Sequence, residues 1–134
     1  MKILITGSEG FIGSHLVEKL ISKGAKINAF VQYNSFNHYG WLDTLTKDKL
    51  KKIQIFSGDV RDPNSVTDAV KKSDVIINLA ALIGIPYSYK SPKSYIDTNI
   101  LGIFNILEAA KNFNIKKIIH TSTSEVYGSA KFIP

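Results

Sequence analysis

The stretch that most constrains this chain is residues 2–20, KILITGSEGFIGSHLVEKL, in which Gly7, Gly10 and Gly13 separate a short apolar run from an amphipathic one. Lys2 to Thr6 has the length and branched side chains of a buried strand. From Phe11 onward the apolar residues Ile12, Leu16, Leu20 and Ile21 recur at the helical period. The glycines must therefore carry the chain from strand to helix. One glycine at such a turn takes φ > 0, a second lets backbone approach a ligand, and a third lets the helix sit close on its sheet. The first N–H groups of the helix have no intrahelical acceptors, and the helix dipole adds about half a positive charge there. An anionic diphosphate satisfies both. Flexible turns use the same residues, and the spacing GxxGxxG differs from the more familiar GxGxxG. The position directly after a short apolar strand is what favours the binding reading.

Downstream, strand and helix patterns alternate. Gly24 caps the first helix and Lys26–Val31 reads as a second strand. Ile53–Phe56 reads as a third, and Asp62 followed by Pro63 has the order of an N-cap and first helical residue for a helix through Val70. Asp74–Leu79 is continuous and branched, as a central parallel strand requires. Leu82–Pro92 reads as a loop. Pro92 opens a long helix with Ile96, Ile100, Ile103, Phe104, Leu107 and Ala110, and Lys116–His120 is a fifth strand. This alternation predicts an α/β fold: a Rossmann-like doubly wound parallel sheet in the order 3-2-1-4-5, in a three-layer sandwich, with ligands at the carboxyl ends of the strands. Residues 33–52 form a longer connection, with Trp41, Leu42, Leu45 and Leu50 placed to pack a short helix. Tyr33, Phe36, Tyr39 and Trp41 read as packing under that loop rather than stacking on adenine or sugar, and His38 reads as exposed.

The 134 residues, 44% apolar, suit one domain with a real core. With no cysteine, disulfides, thiolate chemistry and zinc–thiolate sites are excluded. The longest apolar run, Val75 to Pro86, is broken by Asn78 and Gly84 and falls short of the ~20 residues that span a bilayer. The start lacks the pattern of a secretory leader. The reading is a soluble, cytoplasmic protein without membrane partner. The net charge of +6 comes from lysines in short separate groups, which reads as solvated surface rather than a nucleic-acid site.

TGSEGFIGSHL resembles TGxxGFIGSHL, the cofactor loop of the extended short-chain dehydrogenase/reductase family, which comprises NAD-dependent nucleotide-sugar epimerases, dehydratases and decarboxylases. The resemblance implies NAD or NADP, bound at Gly7, Gly10, Phe11, Ile12 and Gly13. The position that selects between the two is Val31, followed by Gln32, Tyr33, Asn34 and Ser35. Neither an acid for the ribose hydroxyls nor an Arg for a 2′-phosphate stands there, so the choice stays open, with Gln32 and Tyr33 as candidate ribose or phosphate contacts. By the same resemblance Asp59 accepts a hydrogen bond from the adenine amino group and Val60 packs beside the ring. Leu79, Ala80 and Ala81 let cofactor lie against backbone, Asn78 stands where many relatives have His, and Asn99 takes a buried structural or cofactor-side role. In TSTSEVYG, Thr121 and Ser122 face the cofactor crevice and Thr123 matches the catalytic Ser/Thr, although such hydroxyls often merely cap a turn.

The family's base is the Tyr of a Tyr-x-x-x-Lys helix, its pKa lowered by the Lys. Tyr89 to Lys93 contains Pro92, and Tyr127 to Lys131 has Gly128 directly after the Tyr, so neither fits. Residues 1–134 are accordingly read as the dinucleotide-binding part of a longer enzyme, without its catalytic helix and substrate domain and inactive alone. Thr123-Ser124-Glu125 resembles the dehydratases, in which the Glu removes the C5 proton after C4 oxidation, and also UDP-glucuronate decarboxylases. With FVQYNSFN, GWLDTL, ALIGIPYSY and HTSTSEVYG, the wider likeness is to 4,6-dehydratases acting on UDP-N-acetylglucosamine in nonulosonic (legionaminic-type) acid biosynthesis, a UDP-sugar substrate. Relatives often dimerise through helices, here the one opened by Pro92. The competing class is a dinucleotide-binding module without catalysis.

Overall fold

The computed structural model describes residues 1–129, 131 and 132. Strands β1 (Lys2–Thr6), β2 (Lys26–Gln32), β3 (Ile53–Gly58), β4 (Val75–Asn78) and β5 (Lys117–His120) form one parallel sheet in the order β3-β2-β1-β4-β5, as expected. The register aligns Thr6 with Phe30 and with Asn78, Gln32 with Gly58, and Asn78 with His120. The carboxyl ends of all five strands therefore lie along one edge of the sheet.

Alternation along the strands divides the core between two faces. On one, Leu4, Phe30 and Ile76 pack against helices α3 (Pro63–Val70) and α6 (Gly102–Asn112) through Val66, Val70, Ile106 and Ala110. On the other, Ile3, Ile5, Ile27 and Val31 pack against Val17 and Ile21 of helix α1 (Phe11–Ser22) and against Leu42 and Leu45. Each fully buried Leu, Ile or Val contributes about 1.5–3 kcal/mol relative to exposure. Asp62 caps α3 by accepting from the N–H groups of Asn64 (3.0 Å) and Ser65 (3.1 Å). Asn28, a polar residue inside β2, donates to the Lys72 carbonyl (3.0 Å) and to Ser73 Oγ (2.8 Å), tying the strand to the turn after α3.

Four expectations need correcting. The buried stripe of α1 is Gly13, Ser14, Val17 and Ile21, while Phe11 and Ile12 are exposed, because the helix lies on the sheet along its glycine side. The long helix from Pro92 is α5 (Pro92–Ile96), a widened π turn over Asp97–Leu101, and α6. Its inward positions are Gly102, Ile106, Ala109 and Ala110, so Ile96, Ile100, Phe104 and Leu107 form an exposed stripe. Within the segment read as a loop, Pro86 falls in the first turn of a short helix, α4 (Ile85–Lys90). In the connection after β2, Leu42 and Leu45 are buried across a 3-10 turn (Gly40–Thr44), ahead of a short helix, α2 (Lys47–Leu50). Tyr33, Phe36 and Trp41 are exposed rather than covered.

Candidate functional site: a cleft at the strand ends

The turn from β1 to α1 is held open by its own backbone. Gly7 has φ +65°, and a Cβ there would meet Ala80 N and Cα at 3.0 and 3.1 Å. At Gly13 a Cβ would fall 2.1 Å from the Gly7 carbonyl oxygen, so only glycine lets α1 approach this closely. The Gly10 N–H donates to that oxygen (3.1 Å), and Ser14 N–H to Gly10 O (2.9 Å) begins the helical ladder. Among the described residues no side chain caps α1. The N–H groups of its first turn, at Phe11, Ile12 and Gly13, are left for an external acceptor.

A cavity of about 360 Å³ opens at this point. Of the predicted site residues, Gly7 and Gly10, Gln32, Asp59 and Val60, and Leu79, Ala80 and Ala81 line it, contributed by the ends of β1, β2, β3 and β4. The remaining candidates stand elsewhere. Phe11, Ile12 and Gly13 lie beyond the lining, with the Phe11 ring edge-on to Trp41 at 5.6 Å. Tyr33, Thr121, Ser122, Thr123, Ser124 and Glu125 are exposed outside it. Thr123 Oγ1 accepts from the Glu125 N–H (3.3 Å), the turn-capping arrangement, at the start of a 3-10 turn over Ser124–Tyr127. Asn99 neither lines the cavity nor stays a surface residue. Its side-chain amide clamps the Leu82 backbone, with 2.8 Å bonds to both the N–H and the carbonyl, and so fixes the chain leaving β4.

Several residues of the cleft escaped the sequence reading. Arg61 grips the Asp59 carboxylate, Nε lying 2.9 Å from both oxygens, and this guanidinium holds the Asp59 carboxyl below its ordinary value and raises that of Arg61. Asn105 of α6 donates to the carbonyls of Val60 (3.0 Å) and Arg61 (3.1 Å), fixing that turn from behind. Glu9, Ser94 and Thr98 also line the wall. The GDVRDP order carried the Asp-x-Arg spacing. Nothing in one sequence pointed to Asn105 or Thr98.

Under the cleft a polar chain links three strands. Thr6 Oγ1 accepts from the N–H groups of Leu79 (3.2 Å) and Ala80 (3.1 Å), so its own proton goes to Asn78 Oδ1. That fixes the amide, whose Nδ2 lies 3.0 Å from His120 Nδ1 and donates to it. His120 then carries its ring proton on Nε2. Asn78 thus satisfies buried donors and acceptors at the crossing from β1 to β5.

A doubly wound parallel sheet, a glycine turn, an uncapped helix start and a cavity across the strand ends define a nucleotide-binding domain of the Rossmann class. Within that class the chain belongs to the GDP-mannose 4,6-dehydratase family, whose model matches residues 4–134. It is similar to Protein CapI of Staphylococcus aureus, at 42% identity over 96% of this chain and 40% of that protein. It is also similar to the UDP-N-acetyl-alpha-D-glucosaminuronate decarboxylase of Bacillus cytotoxicus, at 37% identity over 95% of this chain and 38% of the other. Among solved structures, the UDP-glucose 4-epimerase of Bifidobacterium longum in complex with NAD+ and UDP superposes with a TM-score of 0.85 at 29% identity, over all of this chain and 40% of that one. The chain thus spans about two fifths of the length of each of these proteins.

Proposed function

We propose that this chain is the dinucleotide-binding part of an NAD(P)-dependent nucleotide-sugar 4,6-dehydratase acting on a UDP-sugar, UDP-N-acetylglucosamine in the first instance. The observation that carries this is the cavity itself, which joins Gly7 and Gly10 of the turn leading into α1 to Asp59 and to the small residues Ala80 and Ala81. The backbone N–H groups of the first turn of α1 would hold the pyrophosphate, and Asp59 and Val60 would hold the adenine. NAD in the B. longum epimerase supports the cofactor, and the UDP-sugar names of relatives support the substrate class. When bound, the dinucleotide would supply the hydride acceptor for C4 of the sugar. The chain's own part is to hold and orient it, with Thr123 toward the sugar hydroxyl and Glu125 toward the C5 proton. Thr123 and Glu125 stand exposed, beyond the cavity, so the substrate side is completed by further parts of the protein. The exposed stripe of Ile96, Ile100, Phe104 and Leu107 supports a homodimer formed through this helix.

A second reading, nucleotide-sugar epimerase or decarboxylase, is favoured by the relatives' own activities. Full-length protein supplied with UDP-N-acetylglucosamine and NAD or NADP separates the two. A 4-keto-6-deoxy sugar is expected; a C4 epimer instead supports the second reading, and no product from any UDP-sugar refutes both.

A further inference from the structure

The end of β2 offers no acid, yet the structure brings one there from another element. Glu9, in the glycine turn, reaches across to β2, where the Gln32 N–H donates to its Oε1 at 3.0 Å. The loop after β2 closes behind it, with Trp41 N–H on the Glu9 carbonyl at 2.9 Å. The second carboxylate oxygen, Oε2, is withdrawn from water and has no hydrogen-bond partner among the described residues. A buried acceptor left without a donor is costly, and such a group marks a place where a partner is missing. Glu9 also lines the cleft. The terminal torsion of a Glu side chain is soft, so a small rotation turns the free oxygen into the cleft.

Resting on the dinucleotide reading above, we infer that Glu9 supplies the acid missing from the end of β2, accepting a hydrogen bond from the adenine-ribose 2′-hydroxyl and excluding a 2′-phosphate, so that the site selects NAD over NADP. A hydroxyl gives Oε2 the donor it lacks, whereas a phosphate brings negative charge against a carboxylate. Arg61, the cation in the cavity wall, is the residue that would otherwise welcome such a phosphate, and its guanidinium is occupied by Asp59. Gln32 and Tyr33, at the strand end, bring no charge.

The test is calorimetric titration of full-length protein with NAD and NADP. Wild type is expected to bind NAD at least about tenfold more tightly, and Glu9→Gln to erase most of that preference by tightening NADP. Gln32→Glu placed on Glu9→Gln, which returns an acid to the strand end, is expected to restore it. Adenosine 5′-monophosphate against adenosine 2′,5′-bisphosphate on wild type gives the same discrimination without a variant. Equal affinity of wild type for both dinucleotides, or a preference untouched by Glu9→Gln, overturns the assignment while leaving the cleft a dinucleotide site. Binding of neither dinucleotide overturns the reading beneath it, and this assignment with it.

Discussion

Gly13→Ala is the sharpest perturbation of the turn. The added Cβ would sit 2.1 Å from Gly7 O and 2.9 Å from Gly7 C and Ser8 Cα, against 3.4 Å for ordinary contact. All three neighbours are backbone, so no side chain can rotate away. Helix α1 must slide more than an ångström along the sheet, disturbing Val17 and Ile21, which are packed against Ile3 and Ile5. Overpacking of this kind costs about 1–3 kcal/mol, and the rigidity of both partners puts the expected value near the top, about 3 kcal/mol. In a chain of this size that lowers the melting temperature by roughly 10 °C. Gly24→Ala is the matched control, since Gly24 has φ +78° but nothing within 4 Å, and backbone strain alone costs about 1 kcal/mol. Differential scanning fluorimetry of both variants, with dinucleotide titration of Gly13→Ala, measures the difference. Equal melting temperatures for the two variants, or unchanged dinucleotide affinity in Gly13→Ala, would refute the claim that close approach of α1 builds the site.

Other consequences are as direct. Thr6→Val removes the acceptor of the Leu79 and Ala80 N–H groups and the donor to Asn78, and is expected to cost about 2–4 kcal/mol in denaturant unfolding, whereas Thr6→Ser retains the bonds. Asp59 is held below its ordinary pKa by Arg61, so its pairing stabilises the fold above about pH 4 and is lost as pH falls through the lowered folded value. Arg61→Gln should therefore move acid unfolding to higher pH, while at pH 7 the loss stays under about 1 kcal/mol because the side chains are 31% and 44% exposed. Phe104→Glu, in the middle of the exposed stripe, should give a monomer by sedimentation with an unchanged far-UV spectrum, and a dimer that persists refutes that face.

The sheet was readable because its signals are local: branched runs of the right length, a glycine turn and the Asp62-Pro63 helix start all sit within a few residues of what they determine. The cleft residues at strand ends were readable for a related reason, since strand order in a doubly wound sheet decides which ends meet. What failed depended on direction around a helix. Phe11 and Ile12 fit an apolar period, but the face that touches the sheet was chosen by Gly13, whose missing side chain counts as nothing in a hydrophobic pattern. Likewise Ile100 and Phe104 look like core by type, and only the contacts of Ile106 and Ala110 with α3 show which stripe is inside. Glu9, Asn99 and Asn105 act across 17 to 45 positions of sequence, through one or two backbone groups each that no spacing rule encodes.

The proposed function stands or falls with a diphosphate seated on the start of α1. The most direct measurement is a crystal structure of the full-length protein with a nicotinamide dinucleotide. Phosphate oxygens are expected within hydrogen-bond reach of the backbone N–H groups at residues 11–13, with the adenine beside Asp59. A dinucleotide bound elsewhere, or none bound at saturating concentration, would contradict the proposed function.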